Sequence, residues 1–403
     1  MEEKKEASQQ NHQSEGFRTG DVVTISLAHM AHDIYTSFLA PILPLIVAKL
    51  GISLSMAGML SVIQKIPSLF NPLVGILADN FKVRYFVIFA PAITTISMSL
   101  MGLAPSYLIL AILVFIAGIS STLFHVPSPV MIRHISGKKL GMGMSFFMVG
   151  GEMARTLGPL IIVAAVTQWG LEGSYRLIPF GLLSSIILFF QLRKIDIRED
   201  FNKVKTKVSY LSTYKEFSSV FLILGLIVFF RAAMKSALTL YLSVYLTGKG
   251  NSLWFSGIAL SVIQFAGVIG TLTAGTLSDK VGRRTSMLII TAASPLLMWI
   301  FLHFQGIYTF PILILTGFFL LAPGPVMLAI VQEIDTEHRA FVNGVYMTIS
   351  FALSSLMLIL VGFLSDHFGM DITYQISSFT ALLAIPFAMM LPKKKAASAA
   401  GQP

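Results

Sequence analysis

Cysteine is absent from this chain. That single absence excludes disulfide frameworks, thiolate metal centres, iron–sulfur clusters and cysteine nucleophiles, and it leaves the redox state of the compartment unread. Charge is scarce as well. Asp, Glu, Lys and Arg together make up 12% of the residues, about half the share of roughly 25% usual in soluble domains. There is no Gly-x-x-x-x-Gly-Lys-[Ser/Thr] phosphate loop, so ATP drive by this chain is not expected. There is also no His-Glu-x-x-His and no Gly-x-Ser-x-Gly, and the charged residues of the apolar stretches show no metal-ligand spacing. The expectation is a protein that is not an enzyme, with no cofactor and no metal.

What is present is apolar. Of 403 residues, 55% belong to the set AVILMFWYC, including 31 Phe and 20 Met. A soluble protein with a single core lacks the polar surface to cover that much oil. The first 21 residues carry both signs of charge and lack the basic-then-apolar order of a cleavable signal, so they read as a retained tail. Twelve apolar stretches follow, at 22–48, 54–79, 84–103, 106–133, 139–168, 174–193, 216–247, 252–278, 285–305, 309–333, 338–367 and 372–391. Each is long enough to cross a hydrocarbon layer of about 30 Å as a helix, and their continuous rather than alternating pattern excludes a barrel. The expected fold class is an all-α integral membrane protein with twelve transmembrane helices.

Lys and Arg report the orientation. With the N-terminus inside, the cytoplasmic joints hold Lys4, Lys5, Arg18, Lys82, Arg84, Arg133, Lys138, Lys139, a cluster between 193 and 215, Lys280, Arg283, Arg284, Arg339 and Lys393 to Lys395. The opposite side holds only Lys49, Arg176 and Lys249. Both termini are therefore expected in the cytoplasm. The same scatter disposes of a nucleic-acid surface, which the net charge of +10 would otherwise invite. These basic residues are topology signals and contacts to anionic membrane lipids.

The chain is written twice. Residues 60–64 and 260–264 both read Leu-Ser-Val-Ile-Gln, Gly75-Ile-Leu-Ala-Asp79 is answered by Gly275-Thr-Leu-Ser-Asp279, and Pro127-Ser-Pro-Val-Met131 by Pro323-Gly-Pro-Val-Met327. Repeats at nearly one interval predict two six-helix halves, with a substrate site between them near mid-membrane. The expected parts are a tail (1–21), a first bundle (22–193), a polar linker (194–215), a second bundle (216–391) and a second tail (392–403). Proline pairs at 41/44, 127/129 and 323/325 interrupt helices one, four and ten and suit elements that bend.

Gly275-x-Leu-Ser-Asp279-Lys-x-Gly282-Arg283-Arg284 fits the pattern G-x-L-[AS]-D-x-x-G-[RK]-[RK]. With the duplicated twelve-helix layout, the chain resembles the major facilitator superfamily. A loop of this kind acts as a gating latch, in which Asp279 pairs with Arg283 and Arg284 or caps a neighbouring helix. The first copy keeps Asp79, Lys82 and Arg84 but departs at Phe81 and Val83, so a looser latch is expected there. The likeness narrows further. Ser26-Leu-Ala-His29-x-x-x-Asp33, Phe124-His125, Val149-Gly-Gly151 through Gly158-Pro159, Gln332-Glu333 and Ser365-Asp366-His367 resemble the fosmidomycin-resistance family of efflux permeases. That resemblance implies proton-driven export across the cytoplasmic membrane of a bacterium, including export of an anionic phosphonate antibiotic. The chain departs from the family at Val126-Pro127 after His125, and at Glu152 and Arg155 in helix five.

Ionised side chains in mid-membrane are costly, about 2.5–3.5 kcal/mol each on the lenient insertion scale, and usually face a cavity. They are Asp33, Lys65, Glu152, Arg155, Arg231 and Lys235. Cations outnumber anions, so an anion entering a dry cavity among them is stabilised. Arg155, Arg231, Lys235, Lys65 and His125 are the expected substrate-binding residues. Asp33, His29 (i,i−4 to it) and Glu152 are the expected proton-coupling residues. Arg231 and Lys235, i,i+4 in helix seven, need a carboxylate such as Asp33 or a ligand to offset their repulsion. The expected protein is a monomer that exports a small anionic or zwitterionic compound in exchange for protons. An organic-anion uptake permease is the alternative. A non-transporting membrane receptor is a second, and it predicts closed charge pairs and no water-accessible cavity.

Overall fold

The structure is a computed structural model that describes residues 17–71, 84–192, 214–304, 306–334, 336 and 339–391. Every regular element among the described residues is helical, as a chain with no water to satisfy its backbone requires. Eleven helical spans are long and apolar enough to cross a membrane, and Leu54–Phe70 is a shorter apolar helix. They fall one for one on the twelve expected stretches. In the second stretch, the part beyond residue 71 lies outside the described residues, as does most of the 194–215 joint.

The chain divides into two compact units. The first comprises 1–52, 59–204 and 246–261, and the second 53–58, 205–245 and 262–403. The division follows the sequence repeat except at two short segments, 53–58 and 246–261, which group with the opposite half.

In the first unit, α1 (Thr19–Thr36) continues after a break at Ser37 and Phe38 into α2 (Leu39–Leu50). α3 (Leu54–Lys65) begins in the second unit and ends in the first. α4 is Arg84–Ser99, α5 Tyr107–His125, α6 Ser128–Ser136, α7 Leu140–Trp169 and α8 Ile178–Leu192. The second unit holds α9 (Ser218–Thr239), α10 (Leu242–Gly248, shared with the first unit), most of α11 (Leu253–Val281), α12 (Arg283–Phe301), α13 (Thr309–Leu321), α14 (Pro323–Gln332), α15 (Arg339–Phe368), α16 (Met370–Leu382) and α17 (Ala384–Met389). Two of the three proline pairs interrupt helices: α5 stops at His125 and α6 starts just after Pro127, while α13 stops at Leu321 and α14 starts on Pro323; Pro41 and Pro44 instead lie within α2, and the break in the first span falls before them. Proline fits a first helical turn, where its missing N–H has no partner to lose.

Each unit has its own core. Val22, Ile25, Val87, Phe124, Ile132 and Phe147 are among the buried residues of the first, and Phe221, Leu224, Met287, Val326 and Val342 of the second. Large apolar side chains such as Leu108, Phe180, Leu272 and Ile307 are exposed, as surfaces that meet lipid rather than water would be. The repeated pentapeptides mark equivalent crossings. A Cβ on Gly118 of α5 would collide with the Gln64 carbonyl, and a Cβ on Gly317 of α13 with the Ile263 carbonyl. Without a hydrophobic drive between helices in lipid, small residues that let backbones touch are what hold such crossings together.

Candidate functional site

The first unit buries a polar cluster. His29 and Asp33 share one face of α1, and their side chains are each only 6% exposed. His29 fits because α7 presents Gly151 to it: a Cβ there would lie 2.5 Å from Cε1 and 2.7 Å from Nε2 of the ring. The His29 ring stacks on Phe147 (centroids 4.0 Å apart, planes 19° apart), and its Nδ1 donates to the Phe147 carbonyl oxygen at 2.7 Å. Its Nε2 then faces Asp33 Oδ2 at 3.3 Å. His125, the last residue of α5, brings Nε2 to 3.0 Å from Asp33 Oδ1. The imidazole of His32, fully buried, stacks on Phe124 (4.6 Å, 13°) and sets Nε2 4.0 Å from the same carboxylate oxygen. Neither ring nitrogen of His32 has a hydrogen-bond partner.

His125, expected among the substrate-binding residues, bonds to Asp33 in the structure. The expectation that no metal-ligand cluster forms fails, since ligand atoms of His29, Asp33 and His125 all lie within 4.8 Å of one another. Helix packing brings α1 and α5 together, whereas residues 33 and 125 are far apart in the chain. Sequence reasoning misses His32 altogether. The available signal is a second histidine directly beside Asp33 and i+3 from His29, a spacing that keeps it near the same face of the helix.

Elsewhere in this unit, Arg155 Nη1 meets Glu152 Oε1 at 2.7 Å, the pair expected from their i,i+3 spacing. The Arg155 side chain is half exposed and that of Glu152 23% exposed. Lys65 is the last residue of α3, and its side chain is exposed.

The second unit holds the opposite arrangement. Arg231 on α9 is buried. Its Nη1 donates to Ser294 Oγ at 2.9 Å and to the Ile290 carbonyl at 3.4 Å; Nη2 donates to the carbonyls of Phe319 at 3.5 Å and Leu320 at 3.4 Å. Among the described residues no carboxylate pairs with it; carbonyl oxygens and one hydroxyl are what it bonds to. Arg231 and Lys235 line a cavity of about 150 Å³ together with Val228, Leu320, Met327, Tyr346, Ser350 and Ser354. The walls are apolar with a few hydroxyls, and two cationic side chains one helical turn apart enter from one side. Such a chamber can hold a small anion with an apolar body.

The second-half latch is assembled around Arg283. Its Nη2 contacts Asp279 Oδ1 at 2.5 Å and Glu333 Oε1 at 2.7 Å, its Nε adds 3.0 Å to Glu333, and its Nη1 donates to Ser278 Oγ. Glu333 thus joins Asp279 as a partner of Arg283, while Arg284 is half-buried. In the first half, Asp79 and Lys82 lie outside the described residues, and Arg84 stacks over Tyr85 with Cζ 5.2 Å from the ring centre. Asp366, at the end of α15, accepts from the backbone N–H of Leu54 (2.7 Å) and Ser55 (2.9 Å), so it caps the first turn of α3.

Comparison with known proteins places these features. The sequence pattern of the Major Facilitator Superfamily matches residues 25–358. The fosmidomycin resistance protein of Escherichia coli K12 is 26% identical over 375 residues, which cover 91% of either chain. The multi-drug resistance efflux pump PmrA of Streptococcus pneumoniae is 26% identical over 266 residues, 63% of this chain and 65% of its own. Among solved structures, a bacterial homologue of the human lysosomal transporter Spinster superposes with a TM-score of 0.79 at 14% identity, over 94% of this chain and 97% of that one. A D-xylose–proton symporter superposes at 0.74 with 15% identity, over 93% and 97%. At such identities the superpositions speak for the fold alone.

Proposed function

The chain belongs to the Major Facilitator Superfamily, and from that premise we propose that it is a secondary active transporter that exports a small anionic or zwitterionic compound in exchange for protons. The observation that carries this reading is Arg231: a buried guanidinium, held by carbonyls and a hydroxyl and offset by no carboxylate among the described residues, on the wall of a cavity it shares with Lys235. Carbonyl dipoles solvate the charge without neutralising it, so an anion entering the cavity gains the unspent attraction. Ser350 and Ser354 offer hydroxyls to the same guest.

On this reading the proton travels through the first unit. Asp33, ringed by His29, His32 and His125, is the carrier, and the imidazoles share its proton. Glu152 holds Arg155, and a substrate's acidic group reaches Arg155 only by displacing it. The latch at Asp279, Arg283 and Glu333 then stabilises one state of the alternating-access cycle, and breaking it is part of the step. The chain lies in the cytoplasmic membrane of a bacterium with both termini inside. Efflux-type relatives favour export over uptake. The cavity argues against a receptor, which calls for closed pairs and no such space.

The test is flux. Purified protein in vesicles, given a pH step, is scored against a panel of phosphonates, carboxylates and lipophilic cations. Outward movement of an anion against inward protons is the expected result. Co-directional movement would convert the reading to symport, and transport of lipophilic cations alone would remove the anion site.

A further inference from the structure

The buried cluster of the first unit has a chemistry that proton coupling does not exhaust. The Phe147 carbonyl can only accept, so Nδ1 of His29 carries the hydrogen it shares at 2.7 Å. In the neutral ring, Nε2 is then a bare lone pair, yet its neighbour at 3.3 Å is a carboxylate oxygen, also an acceptor. Two acceptors facing each other need a cation between them. His32, a fully buried imidazole 4.0 Å from Asp33 Oδ1, packs beside this pair.

We propose that His29, Asp33 and His125 form a three-ligand binding site for a divalent transition-metal ion of the zinc class, with the fourth position left to water or another small ligand. The donors are already close to the required spacing. Metal–ligand bonds of about 2.0–2.1 Å in a tetrahedron put ligand atoms roughly 3.4 Å apart. The His125–Asp33 and His29–Asp33 separations are 3.0 and 3.3 Å, and the three-residue set spans no more than 4.8 Å. The outer contacts suit the role. Ligating histidines characteristically donate their other N–H to a carbonyl or carboxylate, as His29 does to Phe147. Stacking on Phe147 and Phe124 fixes the planes of His29 and His32. The His125 side chain is 37% exposed, which opens one side of the cluster for entry. Two imidazole nitrogens and one carboxylate oxygen select Zn²⁺, Co²⁺ or Ni²⁺ over Mg²⁺ and Ca²⁺, which prefer all-oxygen shells. This inference goes beyond the transport reading and stands or falls independently of it, because it concerns equilibrium binding.

The experiment uses the full-length, tag-free protein in detergent, stripped with chelator and titrated with ZnCl₂ by calorimetry. CoCl₂ is added in parallel to read the tetrahedral d–d absorption. One Zn²⁺ per chain, undisplaced by a hundredfold excess of Mg²⁺ or Ca²⁺, is the expected result, together with the Co²⁺ spectrum. His125→Gln, at the accessible side, should weaken Zn²⁺ about tenfold or more, and His367→Gln, an exposed histidine on α15, should leave it unchanged. Absence of stoichiometric Zn²⁺ binding by folded wild-type protein would overturn the site. So would wild-type affinity in His125→Gln, or equal loss in His367→Gln. Should His125→Gln misfold, His125→Ala replaces it; the same loss is expected, and retained wild-type affinity there would equally overturn the site.

Discussion

Asp33 and Arg231 sit at corresponding points of the two repeats, the interval from 33 to 231 lying between those of the paired motifs at 127 and 323 and at 60 and 260. Both are buried on the helix that opens its half, and they carry opposite charge. What surrounds them differs in kind. Asp33 is met by side chains, the imidazoles of His29, His32 and His125. Arg231 is met by backbone carbonyls and one serine hydroxyl, groups that orient the charge and cannot cancel it. On the proposed reading, a charge ringed by imidazoles serves a site that exchanges cations, and one ringed by fixed dipoles keeps a standing positive potential for an anion. The duplicated scaffold thus surrounds equivalent positions with unlike groups, through the neighbours alone.

Four substitutions press on that contrast. The largest effect is expected from Asp33→Asn, which should abolish proton-driven accumulation in vesicles while sparing exchange of substrate for substrate; loss of both would mean the two regions do not divide the work. Arg231→Gln should weaken substrate binding by on the order of ten- to a hundredfold, the worth of a charged hydrogen bond or two. Its exchange should keep the wild-type pH dependence, and a shifted pH profile would tie Arg231 to the proton path. Next comes Gly151→Ala, whose Cβ meets the His29 ring. It should cost about 1–3 kcal/mol of stability by overpacking, seen as a lowered Tm, whereas Gly248→Ala, with open space around it, should be near neutral. The smallest effect belongs to Arg155→Gln. Its half-exposed pair with Glu152 is worth about 0–1 kcal/mol, so affinity should fall less than in Arg231→Gln. A larger fall would move the primary anion contact to the first unit.

Local spacing makes some of this readable in advance. His29 with Asp33 and Glu152 with Arg155 lie one helical turn apart, so a helix alone brings them together, and the structure pairs both. Asp279 and Arg283 follow the same rule. Glu333 reads in sequence only as a charge near the latch, because its bond to Arg283 crosses from α12 to the end of α14. The partner of His125 is hidden for the same reason. Gly150, Gly151 and Gly158 stand out in sequence as a motif, but their use appears only once α1 is laid against α7: a Cβ at any of them would strike Ser26, His29 or Ser37.

Composition and hydropathy determined that this is a helical membrane protein, how many times it crosses, and that it is a duplicated chain, because the bilayer dictates helix length and the repeat is spelled in letters. Which buried charge would be answered by imidazoles and which by carbonyls was decided only by the packing of helices remote in sequence. The physical reason is that solvation in a dry interior comes from whatever atoms lie within about 3–4 Å, and in a bundle most of those belong to other helices.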